Sequence, residues 1–425
     1  MPHAFVACMS IRSAISAAVF LGALLTQNGS AMAEESALDT FVAEVLTRSP
    51  SLRAEGLRRD ASRREATAAG IYPDPTVNVM VNNVPDVAEM PMVRYQIGQM
   101  FLWPGKLGLM EAAALRTADA AGANLETARL QLRLDAKRGF YMLLLNARRR
   151  EITKAARGLA ATVANAALGR YGAGTAEHHE VARAQVEVSA LDIEVVNLEG
   201  ERRAMVAMLN ALRNKPADAD IADPGEPPPA STHRDPLATL MDRALANRPE
   251  IRAMGAMREE AQTMARLARL EPAPDFMVGV WVNQNMGAPV TFGAMVEATL
   301  PIFNVTRQSR RASAFDARAG SAAAAQDAMR AMIRAQVAEA LARLEAAERQ
   351  VDLIRDVVLP KARESFESSL ASFGAGRADL NTVLDARRAL QRTQLAAAEV
   401  RVMRAIAAAE LERAIGAPIA KGSKP

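Results

Sequence analysis

Cysteine is nearly missing from this 425-residue chain, and its single copy is Cys8. Beyond the first few residues that excludes disulfides, a cysteine nucleophile and a cysteine-built zinc site. Aromatic residues are also scarce at 4%, with 2 Trp and 4 Tyr. A globular enzyme of this length needs more bulky side chains in its core. The apolar half of the sequence is instead dominated by Ala, which suits long helices in close contact along a small-residue seam. Charge of one sign is scarce too: 52 basic against 48 acidic residues leave a net +4. That excess is too small to make a nucleic-acid-binding face, and no nucleic-acid partner is expected. No G-x-S-x-G, P-loop, G-x-G-x-x-G or H-E-x-x-H occurs, so the commoner hydrolase, nucleotide-binding and zinc-protease signatures are missing. No set of catalytic groups emerges, and neither enzyme activity nor a cofactor is expected.

Residues 1–33 read as a secretory signal peptide. Arg12 supplies the positive start, Ala14 to Leu25 the short apolar core, and Ala31-Met32-Ala33 the cleavage site. The exported chain would begin at Glu34 without cysteine, so no N-terminal lipid anchor is expected. No later stretch approaches the ~18 consecutive apolar residues of a membrane helix. An exported chain of this kind is either free in the periplasm or beyond, or it contributes to a β-barrel.

What the chain does have is an internal repeat. LDTFVAEVLTRSPSL (Leu38–Leu52) returns as LATLMDRALANRPEI (Leu237–Ile251), and IYPDPTVNVMV (Ile71–Val81) as LEPAPDFMVGV (Leu270–Val280). YGAGTAEHHEVARA (Tyr171–Ala184) returns as FGAGRADLNTVLDA (Phe373–Ala386). The copies cover residues 34–214 and 237–416. A Pro- and Asp-rich linker over 215–236 joins them, and 417–425 forms a tail.

Each copy opens with helix and stops before a P-x-P, Pro73-Asp74-Pro75 or Pro272-Ala273-Pro274. Alternation follows. Val77, Val79 and Val81 alternate with Asn78, Met80 and Asn82, and the same period recurs around Tyr95, Val280 and Val296. Strands are expected at about 75–84, 93–102, 275–284 and 291–301, one hairpin per copy. Each is about ten residues, the length a tilted strand needs to cross a bilayer. Helix then returns for roughly 65 residues, nearly 100 Å at ~1.5 Å per residue. Leu359-Pro360 is a break in the second copy. Val337, Leu344, Val351 and Val358 recur every seventh position, with Ala340, Ala347 and Ile354 between them, as in a coiled-coil seam. Gly tolerates positive φ, so each aromatic-Gly-Ala-Gly reads as the tip of a helical hairpin, with Thr175 and Asp379 as N-caps of the returning helices.

Four membrane-length strands cannot stand alone in a bilayer. Unpaired edges in hydrocarbon are costly, and four strands are too few to close a barrel. The chain must share a barrel among copies, eight strands from two chains or twelve from three. The expected fold is mainly α with a small β part: a duplicated unit of coiled-coil helices with one hairpin each.

In the order helix, P-x-P, hairpin, Leu-Pro or Trp-Pro-Gly, long helix, Tyr/Phe-Gly-Ala-Gly tip and return helix, repeated twice, the chain resembles the TolC-type outer-membrane efflux channels. The segment from Asn82-Asn83-Val84-Pro85 through Gln99 to Leu107, with its Pro-Gly-Lys-Leu turn, further resembles the heavy-metal efflux branch. The resemblance implies a homotrimer in outer-membrane lipid, with a twelve-stranded barrel over a periplasmic α-barrel. It implies passive conduction of heavy-metal ions or drugs delivered by a periplasmic adaptor and an inner-membrane pump of the resistance-nodulation-division class. The alternative is a periplasmic coiled-coil adaptor or tether that enters no membrane.

The same resemblance assigns roles at the tips. Glu180, Arg377, Asp379, Thr382 and Asp385 correspond to a periplasmic gate. Thr382 stands where the family carries a second carboxylate, which Asp379 would replace. Gly172, Ala173, Gly174 and Thr175, with Gly374, Ala375, Gly376 and Arg377, correspond to adaptor-contact turns. Tyr95, Trp103 and Trp281 read as membrane-interface aromatics, Trp103 alternatively as a packing plug. Met80, Met90, Met92 and Met100 lie in or beside the first hairpin, and thioethers favour Cu(I), though Met also fills irregular packing. Adjacent His178 and His179 point about 100° apart on a helix and do not converge on a metal.

Overall fold

The computed structural model describes residues 37–82, 92–221, 235–285, 289–299 and 305–419. The chain divides into two units. One combines Arg53–Ala128 with Arg248–Ile333; the other takes the residues up to Leu52, Arg129–Asn247 and those from Arg334 onward. Each unit thus draws on both sequence repeats.

The first of these units holds the strands. Each copy leads into it from a short helix that belongs to the other unit: α1 (37–48) ends at Ser49, and α2 (Pro50–Ala69) begins on Pro50, where the missing N–H costs nothing. In the second copy α5 (Leu237–Asn247) and α6 (Pro249–Leu270) repeat that arrangement. After the P-x-P motifs come β1 (Thr76–Asn82), β2 (Met92–Phe101), β3 (Phe276–Asn285) and β4 (Thr291–Ala298). At 7 and 8 residues, β1 and β4 are shorter than expected. All neighbours are antiparallel, in the order β1-β2-β3-β4. The hairpins therefore do not stay apart: β2 and β3 pair over their full length, from Met92↔Asn285 to Phe101↔Phe276.

The register sorts the side chains. One face carries rows such as Val79, Tyr95, Val282 and Phe292, and Val77, Ile97, Val280 and Ala294. These stand open to the surroundings; Phe292 is 85% exposed. The opposite face carries Asn78, Gln96, Trp281 and Gly293, then Met80, Arg94, Asn283 and Thr291. Trp281 is thus not on the apolar face with Tyr95, as a membrane-interface residue would be. Its ring lies under the Arg94 guanidinium at 4.9 Å and over the side-chain-free Gly293. Period two forces this outcome, because Trp281 falls between Val280 and Val282. Trp103 stacks on Phe276 at 6.1 Å, which is a packing role.

The turn into α3 (Lys106–Gly172) is tied to the second copy. Lys106, almost fully buried, donates to the Ala273 carbonyl at 2.8 Å and to Asp275 Oδ1 at 2.9 Å. The same carboxylate accepts from the Trp103 amide at 2.8 Å. Gly105 makes the turn with φ 95°.

The other unit is helical. It contains most of α3, α4 (His178–Leu212), α5, the end of α7 (Val305–Leu353), α8 (Leu359–Gly374) and α9 (Leu380–Ile415). Val337, Ala340, Leu344, Ala347 and Val351 of the expected seam are buried, but Val358 is 41% exposed. The reason lies between them. Ile354–Val358 is a π-helical turn whose wider winding rotates everything after it and breaks the heptad register. It also accommodates Pro360, so Leu359-Pro360 does not break the helix: the flanking residues keep right-handed helical angles. The first part of the linker is packed, not loose. Asn210 Nδ2 donates to the carbonyls of Ala217 and Ala219, and Ile221 is buried; residues 222–234 lie outside the described residues.

Candidate gate at the helical tips

Both Gly-Ala-Gly turns close in the same way. Gly174 and Gly376 have φ of 72° and 73°, and the next amide reaches back to the helix, Thr175 to the Arg170 carbonyl and Arg377 to the Ser372 carbonyl, each at 2.9 Å. This is the six-to-one bond of a Schellman ending. Gly172 and Gly374 lie inside the helix ends and need no positive φ.

The N-cap expectations divide. Asp379 caps α9: its Oδ1 accepts from the Thr382 amide at 2.8 Å and from the Thr382 hydroxyl at 2.5 Å. These bonds hold its carboxyl below the usual range. Thr175 does not cap α4, whose N-cap is Glu177. Its hydroxyl instead donates to the Arg170 carbonyl at 3.0 Å, closing the end of α3.

Four helices pack beneath the turns, with Val163, Val181, Phe366, Phe373, Val383 and Leu384 at the centre. The twin aromatics part company here. Phe373 is fully buried beneath the Arg170 guanidinium, 4.6 Å from its ring centroid, while Tyr171 is exposed against His178. His179 Nδ1 sits 3.0 Å from Glu177, and no cluster of three or more His, Cys, Asp or Glu side chains able to hold a metal occurs among the described residues.

The expected gate residues are placed as follows. Thr382 and Asp379 are joined by the cap. Asp385, with its side chain 74% exposed, lies 3.4 Å from Arg388 of the same helix. Arg377 is exposed in the turn. Glu180 stands in the first turn of α4, with Oε2 shielded and without a hydrogen-bond partner.

Sequence reasoning missed the strongest polar link in this region. Glu187 of α4 accepts from Arg387 at 2.8 Å and from Arg388, both on α9. Arg387 is 2% exposed and also donates to Gln391 at 2.9 Å. The Arg388 bond, then the charges of both arginines, hold the Glu187 carboxyl below its ordinary value against the opposing effect of burial. The sequence did carry a signal: Arg387 sits four residues after buried Val383 and three before buried Leu390, on the core stripe of α9. A buried charge on a core stripe calls for a partner.

Two copies of one helix-and-hairpin unit, whose hairpins merge into an open sheet with one bare apolar face, define the class of subunit that builds membrane channels. The chain belongs to the outer membrane efflux protein family, whose model matches residues 41–215 and 240–417. It is 25% identical over 354 residues, 80% of each chain, to the cobalt-zinc-cadmium resistance protein CzcC of Cupriavidus metallidurans. Among solved structures it resembles CusC, a transmembrane channel, with TM-score 0.79 and 16% identity over 90% of this chain and 92% of that one. It also resembles the outer-membrane channel OprN, with TM-score 0.77 and 18% identity over 90% of each. The family is one of efflux proteins and these structural neighbours are channels, not enzymes.

Proposed function

We propose that three copies of this chain close a twelve-stranded outer-membrane barrel continuous with a periplasmic helical tube. The assembly passively conducts cargo handed over by a periplasmic adaptor and an inner-membrane pump of the resistance-nodulation-division class. The open sheet carries this reading. Its order leaves one edge of β1 and one of β4 without a partner strand among the described residues, and its apolar face is uncovered. Such a surface is unstable in water and unstable in lipid until closed. Heavy-metal ions are the favoured cargo, supported by the relative named for cobalt, zinc and cadmium resistance. The Gly174 and Gly376 turns dock the adaptor. Glu180, Arg377 and Asp385 line the constriction, with Asp379 and Thr382 holding the first turn of α9.

The test is planar-bilayer conductance of the detergent-purified protein, with its oligomeric mass measured alongside. A trimer giving small, cation-selective steps is expected. Particles that stay dispersed without detergent and pass no current would leave a periplasmic tether instead.

A further inference from the structure

On the polar face of the sheet, Gly98 and Gly279 stand directly opposite each other, so two neighbouring strands are bare at one level. Two methionine side chains fill the gap, and Gln96 Nε2 lies 4.0 Å from the Met295 sulfur. Met277 Sδ lies 3.3 Å from where a Cβ on Gly98 would sit, and the Met295 methyl carbon 3.6 Å from the same point on Gly279. Met100 is the direct cross-strand partner of Met277, and Met295 that of Gly279. Directly opposed residues have Cβ atoms about 4.5–5.5 Å apart and diagonal ones about 7–8 Å, within reach of long side chains. Met277 and Met295 therefore lie over one bare patch from two strands, and Met100 stands beside Met277 on the third, within reach of a long side chain.

Packing alone does not account for them. In the described strands every methionine (Met80, Met92, Met100, Met277 and Met295) lies on the polar face, and none on the valine-rich one. A residue used as hydrocarbon filler would follow the apolar face. The surroundings also suit a cation. Glu297 is the cross-strand partner of Met277, and no Lys or Arg occupies the rows through Met277 and Gly279; Arg94 is held over Trp281, beyond them. Met80 and Met92, by contrast, pair with Arg94 and with Asn82 and Asn285, and Met90 lies outside the described residues.

We propose that Met100, Met277 and Met295 form a thioether site for a soft monovalent cation, Cu(I) or Ag(I). The site lies within one chain's sheet, so it stands independently of the trimeric conduit; only its facing the channel lumen rests on that reading.

The probe is Ag(I), titrated by equilibrium dialysis in chloride-free buffer into the full-length protein in detergent. One tight Ag(I) per chain is expected, with sulfur neighbours in its X-ray absorption spectrum. In Met277→Leu/Met295→Leu that binding weakens at least about tenfold, since loss of even an outer-shell partner costs 10–100-fold. Met80→Leu leaves it unchanged. Leu keeps the volume, and oligomeric mass and conductance of each variant are measured in parallel. A variant that conducts normally but has lost Ag(I) separates this site from the conduit itself. Unchanged affinity in the double variant would overturn the proposal. So would a nitrogen and oxygen shell around Ag(I) in the wild type, which needs no variant to fold.

Discussion

Glu187→Gln tests the link between α4 and α9. The substitution keeps shape and one acceptor oxygen but removes the charge that faces Arg387 and Arg388. A hydrogen bond to a charged group is worth about 1.5–3 kcal/mol, and breaking a fully buried pair costs about 3–5. Here the Glu187 side chain is 15% exposed and Arg387 keeps its bond to Gln391. The expected cost is therefore near the low end, about 2 kcal/mol. At 1.36 kcal/mol per factor of ten, local opening rises about 30-fold. The assay is amide hydrogen exchange at pH 7, read on peptides from α4 and α9 around these residues. The pH dependence has a definite sign. The Glu187 carboxyl is depressed in the folded chain, so its contribution is fully present above the unfolded value of about 4.3 and is lost as pH falls through the folded value. The difference between wild type and Glu187→Gln should close over that acid window. Replacing the pair by apolar groups, Glu187→Leu with Arg387→Met, should restore much of the protection, because no buried charge is left stranded: Arg388 is partly exposed and still has Asp385 at 3.4 Å. Exchange within about twofold of wild type at pH 7, or a double variant as open as the sum of the single ones, would refute the argument.

Lys106→Met leaves Asp275 with the Trp103 amide alone. Because Asp275 is partly exposed, a local cost of about 2–3 kcal/mol is expected, seen as faster exchange at the start of α3 and β3. Gly293→Ala places a Cβ 2.4 Å from Trp281 Cζ2. The indole must swing out from Arg94 at a cost of about 1–3 kcal/mol. In a Trp103→Phe background the emission of the remaining Trp should shift to the red, and an unchanged spectrum would count against the stacking. Thr382→Asp adds a carboxylate one turn from Asp385. A divalent ion about 8 Å away in water gains enough to lower its blocking concentration about fivefold. Unaltered block would place these residues away from the constriction.

The sequence by itself determined the local structure. Alternation around Val79 and Val280 fixed the strands and which side chains share a face, because that period is a property of the extended backbone. The P-x-P motifs fixed where helices stop, and Gly174 and Gly376 fixed the tip turns, because few residues tolerate those angles. The duplication announced two similar halves and the resemblance followed from their order. What the sequence left undecided were relations between distant segments. The pairing of β2 with β3, Lys106 with Asp275 and Glu187 with Arg387 joins residues from different repeats, and each member carries no local mark of its partner. The seam was legible to Val351 and then lost, since a single π-turn at Ile354–Val358 changes the phase of everything beyond it. Thr175 and Asp379 occupy similar places after similar turns, yet one closes the preceding helix and the other opens the next. Trp281 shows the division most plainly. Its residue type pointed to a lipid interface, its parity put it on the polar face, and only the folded sheet set it between Arg94 and the bare backbone of Gly293. Backbone preference acts over a few residues and can be read directly. The choice of partner is made by packing across the fold, and that required the tertiary structure.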